Sequence, residues 1–160
     1  MCASVRQGAK PAENGPPSGA KAVSIEYRVP FFDTDAMRVV HHANYVRWFE
    51  LARIEWMDRN HVPYRNYVDA GLHLATTHIE ADYKWPARFD ERVTITTWPT
   101  NVRGASLEME YRVSCNGQTL VTGKSEHACV DEGGQVRRIP REWRDQLRSS
   151  LAASADPQVD

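Results

Sequence analysis

Two carboxylates and two histidines stand close together in one short stretch, Asp33 and Asp35, then His41 and His42, just ahead of a strongly aromatic segment. Aspartate is ionised at neutral pH and can attack a carbonyl or take a proton from water. Histidine titrates near neutrality and can pass a proton on. The aromatic segment supplies the other half of such chemistry. Tyr45, Trp48, Phe49, Ala52 and Trp56 recur with a helical period, while Arg47, Glu50, Arg53 and Asp58 fall largely on the opposite side. A helix from about Tyr45 to Arg59 follows, with Asn44 as its N-cap. The first N–H groups of a helix have no partners within it, and its dipole favours negative charge there. A carboxylate and a set of free amides near one helix start can attack a carbonyl and hold the oxyanion that forms. The same Asp-x-Asp pattern also serves turns and caps without catalysis, so both roles stay open on these residues alone.

The surrounding chain has to hold these groups. Partial alternation marks a strand at Ala22 to Val29 and strict alternation one from Thr77 to Trp85, and Val93 to Thr97 continues in strand style. Leu107 to Val113 and Leu120 to Val130 are the arms of a hairpin whose turn, Asn116-Gly117, suits type I′ geometry. Tyr64 to Gly71 reads as a short helix or turn. Gln135 to Ile139 reads as a short last strand, and Pro140 as the first position of a closing helix through about Leu147. One long helix and a run of antiparallel strands make an α+β domain whose sheet needs the aromatic helix as a cover.

The chain has 160 residues, enough for one domain with its own core. Lys plus Arg number 20 against 21 Asp plus Glu, which argues against a nucleic-acid partner or an anionic membrane. No apolar run is long enough to span a bilayer, and no signal-peptide core follows the N-terminus. Cys2, Cys115 and Cys129 lack metal-ligand spacing, which points to reduced thiols, a cytoplasmic protein and no metal site. Residues 1–20 are rich in Pro and Gly and poor in large apolar groups, as in a disordered tail. The folded unit spans 21–150, and 151–160 is a frayed end.

In Asp33-Thr34-Asp35-Ala36-Met37, Val39-Val40-His41-His42-Ala43-Asn44-Tyr45, Arg47, Phe49-Glu50 and Ala52-Arg53, the chain resembles the hotdog-fold acyl-CoA thioesterases of the 4-hydroxybenzoyl-CoA thioesterase-like branch. The likeness continues through Tyr83, Pro86-Ala87-Arg88, Asp90 and Arg103-Gly104-Ala105-Ser106. It implies a hotdog fold, an antiparallel sheet wrapped around one long central helix, that pairs across a two-fold as a homodimer or homotetramer. It implies hydrolysis of an acyl-CoA substrate without a metal or redox cofactor. Asp35 falls at the catalytic carboxylate and His42 at the helix start whose N–H faces the thioester oxygen. Asp33 is then a loop-shaping acceptor, and Glu50 with Arg53 a pair on the helix surface or at the subunit contact.

Coenzyme A phosphates need cations, for which Arg103, Lys124, Arg137, Arg138 and Arg141 are candidates near strand ends and turns. Two positions depart from the family pattern: Arg38 stands where glycine is usual, and His41 where an aromatic is common. Alternatives are hydrolysis of an acyl group borne by an acyl-carrier protein, and a non-catalytic module that binds acyl thioesters.

Overall fold

The structure, a computed structural model, describes residues 11–153. Five strands form one antiparallel sheet: β1 (Val23–Arg28), β2 (Leu72–Tyr83), β3 (Arg92–Val102), β4 (Ser106–Cys115) and β5 (Gln118–Asp131). Their order is β1-β3-β4-β5-β2. The helices are α1 (His42–Asn60), α2 (Tyr64–Asp69) and α3 (Arg141–Arg148). The antiparallel strands and long helix are those the residue pattern implies, and the wrap of the sheet around the helix is that implied by the resemblance.

The aromatic stripe forms the core because α1 lies along the sheet with that side inward. Tyr45, Trp48, Phe49, Ala52 and Trp56 are all buried. Phe49 stacks on Tyr111 of β4 at 4.4 Å between ring centroids, and Trp48 packs against Tyr27 of β1 at 5.1 Å. Burial of such rings is the largest single apolar contribution a helix of this length can make. The helix comes this near the sheet because β5 has no side chain at Gly123. A Cβ there would lie 2.4 Å from the Phe49 ring and 3.0 Å from the Glu80 carbonyl oxygen.

The hairpin turn forms as expected, with Asn116 at φ 49° and Gly117 at φ 80°. Three readings are corrected. Helix α1 begins at His42, so Asn44 lies inside its first turn; the cap is His41, whose Nδ1 accepts from the Ala43 N–H at 3.2 Å. The start moves forward because the Asp33 carbonyl receives the His41 N–H at 2.9 Å and turns the chain helical at once. The strand expected at Gln135 to Ile139 reduces to a single bridge, Val130 to Val136. A tight turn held by Arg137 Nε on Asp131 Oδ2 at 2.8 Å limits pairing there. Arg53 is not a surface residue, since it is only 9% exposed, and it makes no ion pair with Glu50 among the described residues.

Part of the expected tail is placed. Residues 1–10 and 154–160 lie outside the described residues, but Pro11–Asn14 form a 3-10 turn packed against β4 and β5. Glu13 pairs with Lys84, and Gly15 approaches the Arg112 guanidinium. The outer edge of β2 has no partner strand among the described residues, and a register shift between Thr76 and His78 interrupts its pairing with β5.

Adding one methyl at Gly123 therefore overpacks the helix–sheet contact. Gly123→Ala should destabilise the protein by about 1–3 kcal/mol, read as a lower urea midpoint at unchanged m-value; an unchanged midpoint would mean that Phe49 moves aside freely.

Candidate active site

The site is built on the loop between β1 and α1. A 3-10 turn, Phe31–Asp33, is followed by a bridge from Thr34 to Val40 that closes a narrow turn. Asp35 stands at the tip. Its N–H donates to the Val39 carbonyl, its own carbonyl accepts from the Arg38 N–H, both at 2.9 Å, and its Oδ1 accepts from the Met37 N–H at 2.8 Å. One carboxylate oxygen is thereby fixed, and Oδ2 has no partner among the described residues. Arg38 adopts φ 63°, the left-handed backbone that glycine takes most readily. The turn keeps that conformation with an arginine in it, and the side chain is exposed.

Asp33 anchors the loop, as its place before the helix suggests. It is only 4% exposed. Its Oδ2 accepts from the Tyr27 hydroxyl at 2.9 Å and from Trp48 Nε1 at 3.2 Å. Its carbonyl accepts from the His41 N–H and from Asn44 Nδ2 at 2.8 Å. Burial, then the hydrogen bond and charge of Asp33, hold the Tyr27 hydroxyl above its usual pKa. One residue thus ties β1, the loop and the first two turns of α1.

At the helix start, His41 caps Ala43, and the Asn44 N–H returns to the His41 carbonyl at 2.9 Å. The His42 N–H has no acceptor among the described residues, so it is the open donor at the positive end of the dipole. The His42 ring is exposed and stacks on His41 at 4.2 Å, and its carbonyl accepts from the Tyr83 hydroxyl at 2.9 Å. Behind it, the Tyr45 hydroxyl accepts from the Ala87 N–H and the Val40 N–H donates to the Ala87 carbonyl, which join the β2–β3 link to the same corner. The structure therefore brings Asp35 and His42 to one end of the molecule.

The cations divide. Arg137 binds Asp131, Lys124 lies 3.0 Å from both Glu108 and Glu126, and Arg141 lies 3.9 Å from Asp145. Arg138 instead lines a cavity of about 240 Å³ with Gly104, Ala105, Arg144 and Arg148, beside the turn that carries Arg103. Arg144 Nε is buried there without a partner. Arg144 and Arg148 share one side of α3 by their spacing, a signal present in the sequence, but only the packing of α3 shows that this side meets Gly104. The cavity sits at the far end of β3 from Asp35. The loop before α1 joins the start of β3 through Val29 and Glu91, whereas Gly104 follows its last residue, Val102.

Residues 29–149 match the sequence profile of the thioesterase-like superfamily. The chain belongs to that superfamily. An acyl-CoA thioester hydrolase, YbgC of Escherichia coli, is 33% identical over 106 residues, 65% of this chain and 78% of that one. A hypothetical protein of Thermus thermophilus superposes with a TM-score of 0.78 at 27% identity, covering 82% of this chain and 99% of that one. A 1,4-dihydroxy-2-naphthoyl-CoA thioesterase of Synechocystis, at 20% identity, 80% and 96% coverage and a TM-score of 0.73, shares the hotdog fold. No helix among the described residues is long and apolar enough to cross a membrane.

Superfamily membership does not account for one buried group. Arg53 Nη1 lies 2.9 Å and 2.8 Å from the two ring nitrogens of His127, whose Nε2 is 2.7 Å from Ser125 Oγ, itself 2.7 Å from the Tyr111 hydroxyl. His127 carries no motif in the sequence and becomes visible only when β5 faces α1. Burial first, and then the Arg53 charge, lower its pKa to about 3. Burial likewise lowers His61 to about 4.

Both rings are neutral in the folded protein at pH 7, whereas in the unfolded chain they take up protons near 6.5. Their contribution to stability is fully present above that value and is lost as pH falls toward 4. Each should remove about 1.4 kcal/mol per pH unit in this window. Urea midpoints from pH 7.5 to 5 should fall, and the double variant His61→Gln, His127→Gln should lose most of that slope.

Proposed function

We propose that Asp35 and the His42 N–H are the working pair of an acyl-CoA thioesterase. The protein is a thioester hydrolase by family, and its substrates are acyl-CoA thioesters. What carries the residue assignment is the coincidence, at one corner, of a carboxylate with a free oxygen and a helix start with an open N–H.

In this mechanism the thioester carbonyl oxygen points at the His42 N–H, and the carbonyl carbon faces Asp35 Oδ2. Asp35 either attacks that carbon or takes a proton from a water that does. In both routes the C=O electrons move onto oxygen. The amide and the dipole of α1 stabilise that developing charge more than they stabilise the neutral carbonyl, which lowers the barrier. Collapse breaks the C–S bond and releases the coenzyme A thiolate. A proton then returns to sulfur through water, with the exposed His42 ring within the same corner as a shuttle. If Asp35 attacked first, water hydrolyses the resulting anhydride.

Coenzyme A also has to be held by its phosphates. Arg138, Arg144 and Arg148 form the basic cavity suited to them, and Arg103 is the residue before its Gly104. Arg137 supports the turn beside it through Asp131. Because one chain keeps this cavity a strand length from its own Asp35, a single subunit does not bring the two together. Two chains related by a two-fold across the open edge of β2 run antiparallel, so the partner's end of the sheet is reversed. We infer a homodimer formed at that edge, with active sites near the contact, which doubles to a homotetramer through a second face. Free Cys115 and Cys129 fit a reducing, cytoplasmic setting.

Asp35→Asn keeps the shape of the turn and removes both nucleophile and base. Thiol release from acyl-CoA should fall by about 10²- to 10⁴-fold with folding intact. Near-wild-type turnover would remove Asp35 from the mechanism. A single turnover of the wild type in ¹⁸O water separates its roles: unlabelled acid with label on Asp35 establishes direct attack by the carboxylate.

A further inference from the structure

The chain before β1 crosses the face of the sheet that α1 leaves uncovered. Tyr111 and Val113 of β4 are buried on the α1 side, so Arg112 between them points outward. Gly15 is buried at φ 79° against that guanidinium, where a Cβ would lie 2.8 Å from Nη1. Ahead of it, Pro11–Asn14 pack on β4 and β5, and Glu13 forms an ion pair with Lys84 at the end of β2. Beyond it, the Lys21 carbonyl accepts from Trp56 Nε1 at 2.7 Å, and the Lys21 N–H donates to the Ser150 carbonyl at 3.0 Å. The segment is thus a strap that runs from one edge strand, β2, to the other, β1. It precedes residue 29, where the match to the superfamily begins, so it lies outside the matched fold.

Lys84 stands back to back with the active-site corner. Its neighbour Tyr83 faces α1, where the ring meets Tyr45 at 5.5 Å and the hydroxyl donates to the His42 carbonyl at 2.9 Å. The Lys84 and Trp85 N–H groups both donate to the Leu120 carbonyl, at 2.9 Å and 3.1 Å. Three residues on, Ala87 holds Val40 and Tyr45, and the Val39 carbonyl beside Val40 receives the Asp35 N–H. The rung at Tyr83 and Lys84 therefore touches both halves of the proposed catalytic pair. Among the described residues β2 has strand pairing on one side only, and the end of an edge strand opens locally at little cost. Glu80 and Asp82 share the outer row with Lys84, so a carboxylate from the strap is attracted at Lys84 and repelled along the rest of the row.

We propose that the strap is a positioning element for the reaction: through Glu13 on Lys84 it fixes the last rung of β2, and through Tyr83 and Ala87 that rung fixes the helix start and the Asp35 turn. The inference rests on the assignment of Asp35 and the His42 N–H and adds residues that touch no substrate. A small displacement of groups that must face one carbonyl slows the chemical step more than it weakens binding. Loss of the strap contact therefore falls on kcat and leaves KM nearly unchanged. The effect is modest, because the ion pair is partly exposed.

The test compares Glu13→Gln, Lys84→Gln and their double variant on one acyl-CoA. Each single change should lower kcat by about two- to fivefold with KM altered by less than about twofold, and the double variant should be no slower than either one. Lys84→Arg keeps the ion pair and should keep the rate. Tyr83→Phe removes the bond to the His42 carbonyl and should lower kcat by about three- to tenfold, the worth of one hydrogen bond; in that background Glu13→Gln should cost less than it does alone. Amide hydrogen exchange gives a readout without substrate: Glu13→Gln should speed exchange at Lys84, Trp85 and Val40. Wild-type kcat in Glu13→Gln, a Lys84→Arg protein as slow as Lys84→Gln, or faster exchange confined to residues 11–22 would each overturn the proposal. A wild type inactive on every acyl-CoA would overturn the thioesterase reading itself, whereas an active wild type with unchanged exchange at Val40 in Glu13→Gln would overturn the strap's role alone.

Discussion

A single buried aspartate fixes the corner that holds the proposed catalytic pair. Asp33 accepts from Tyr27 and Trp48 through its side chain and from His41 and Asn44 through its carbonyl. Hydrogen bonds to a buried carboxylate are stronger than neutral ones and costly to leave unmade. They therefore hold the loop and the helix start in one relative position. Asp35 gains its orientation from that frame, since the turn it tips is closed by the Thr34–Val40 bridge directly above Asp33. The helix in turn depends on the sheet, and Gly123 sets how closely the two approach.

The main elements were legible because their signals are local. The aromatic period of α1, the alternation in the strands and the Asn116-Gly117 turn each depend on residues near one another in sequence. Asp35 and His42 were legible as candidates through their place before the helix and through resemblance to a known family. What was not legible depends on contacts between distant segments. The cap moved from Asn44 to His41 because the Asp33 carbonyl captures the His41 N–H. Arg53 reads as a surface charge on a helical wheel, yet it points at His127, seventy-four positions away. Arg144 and Arg148 look like any exposed pair until α3 sets them against Gly104 and Arg138.

The arrangement also links catalysis to assembly. The Asp35 loop meets one end of β3 and the basic cavity the other. The proposed two-fold would use the edge of β2, which pairs with no further strand among the described residues.

In the proposed mechanism the first N–H of α1, rather than the His42 ring, receives the charge of the transition state. Proline at a first helical position keeps the helix and lacks only the N–H. The extended backbone of His41, at φ −61° and ψ 135°, already suits a following proline. Comparison of kcat for His42→Pro and His42→Ala on the same acyl-CoA, with folding checked by circular dichroism, separates amide from imidazole. The proline variant should lose about 10²- to 10³-fold and the alanine variant much less. Full activity in a folded His42→Pro protein would contradict it.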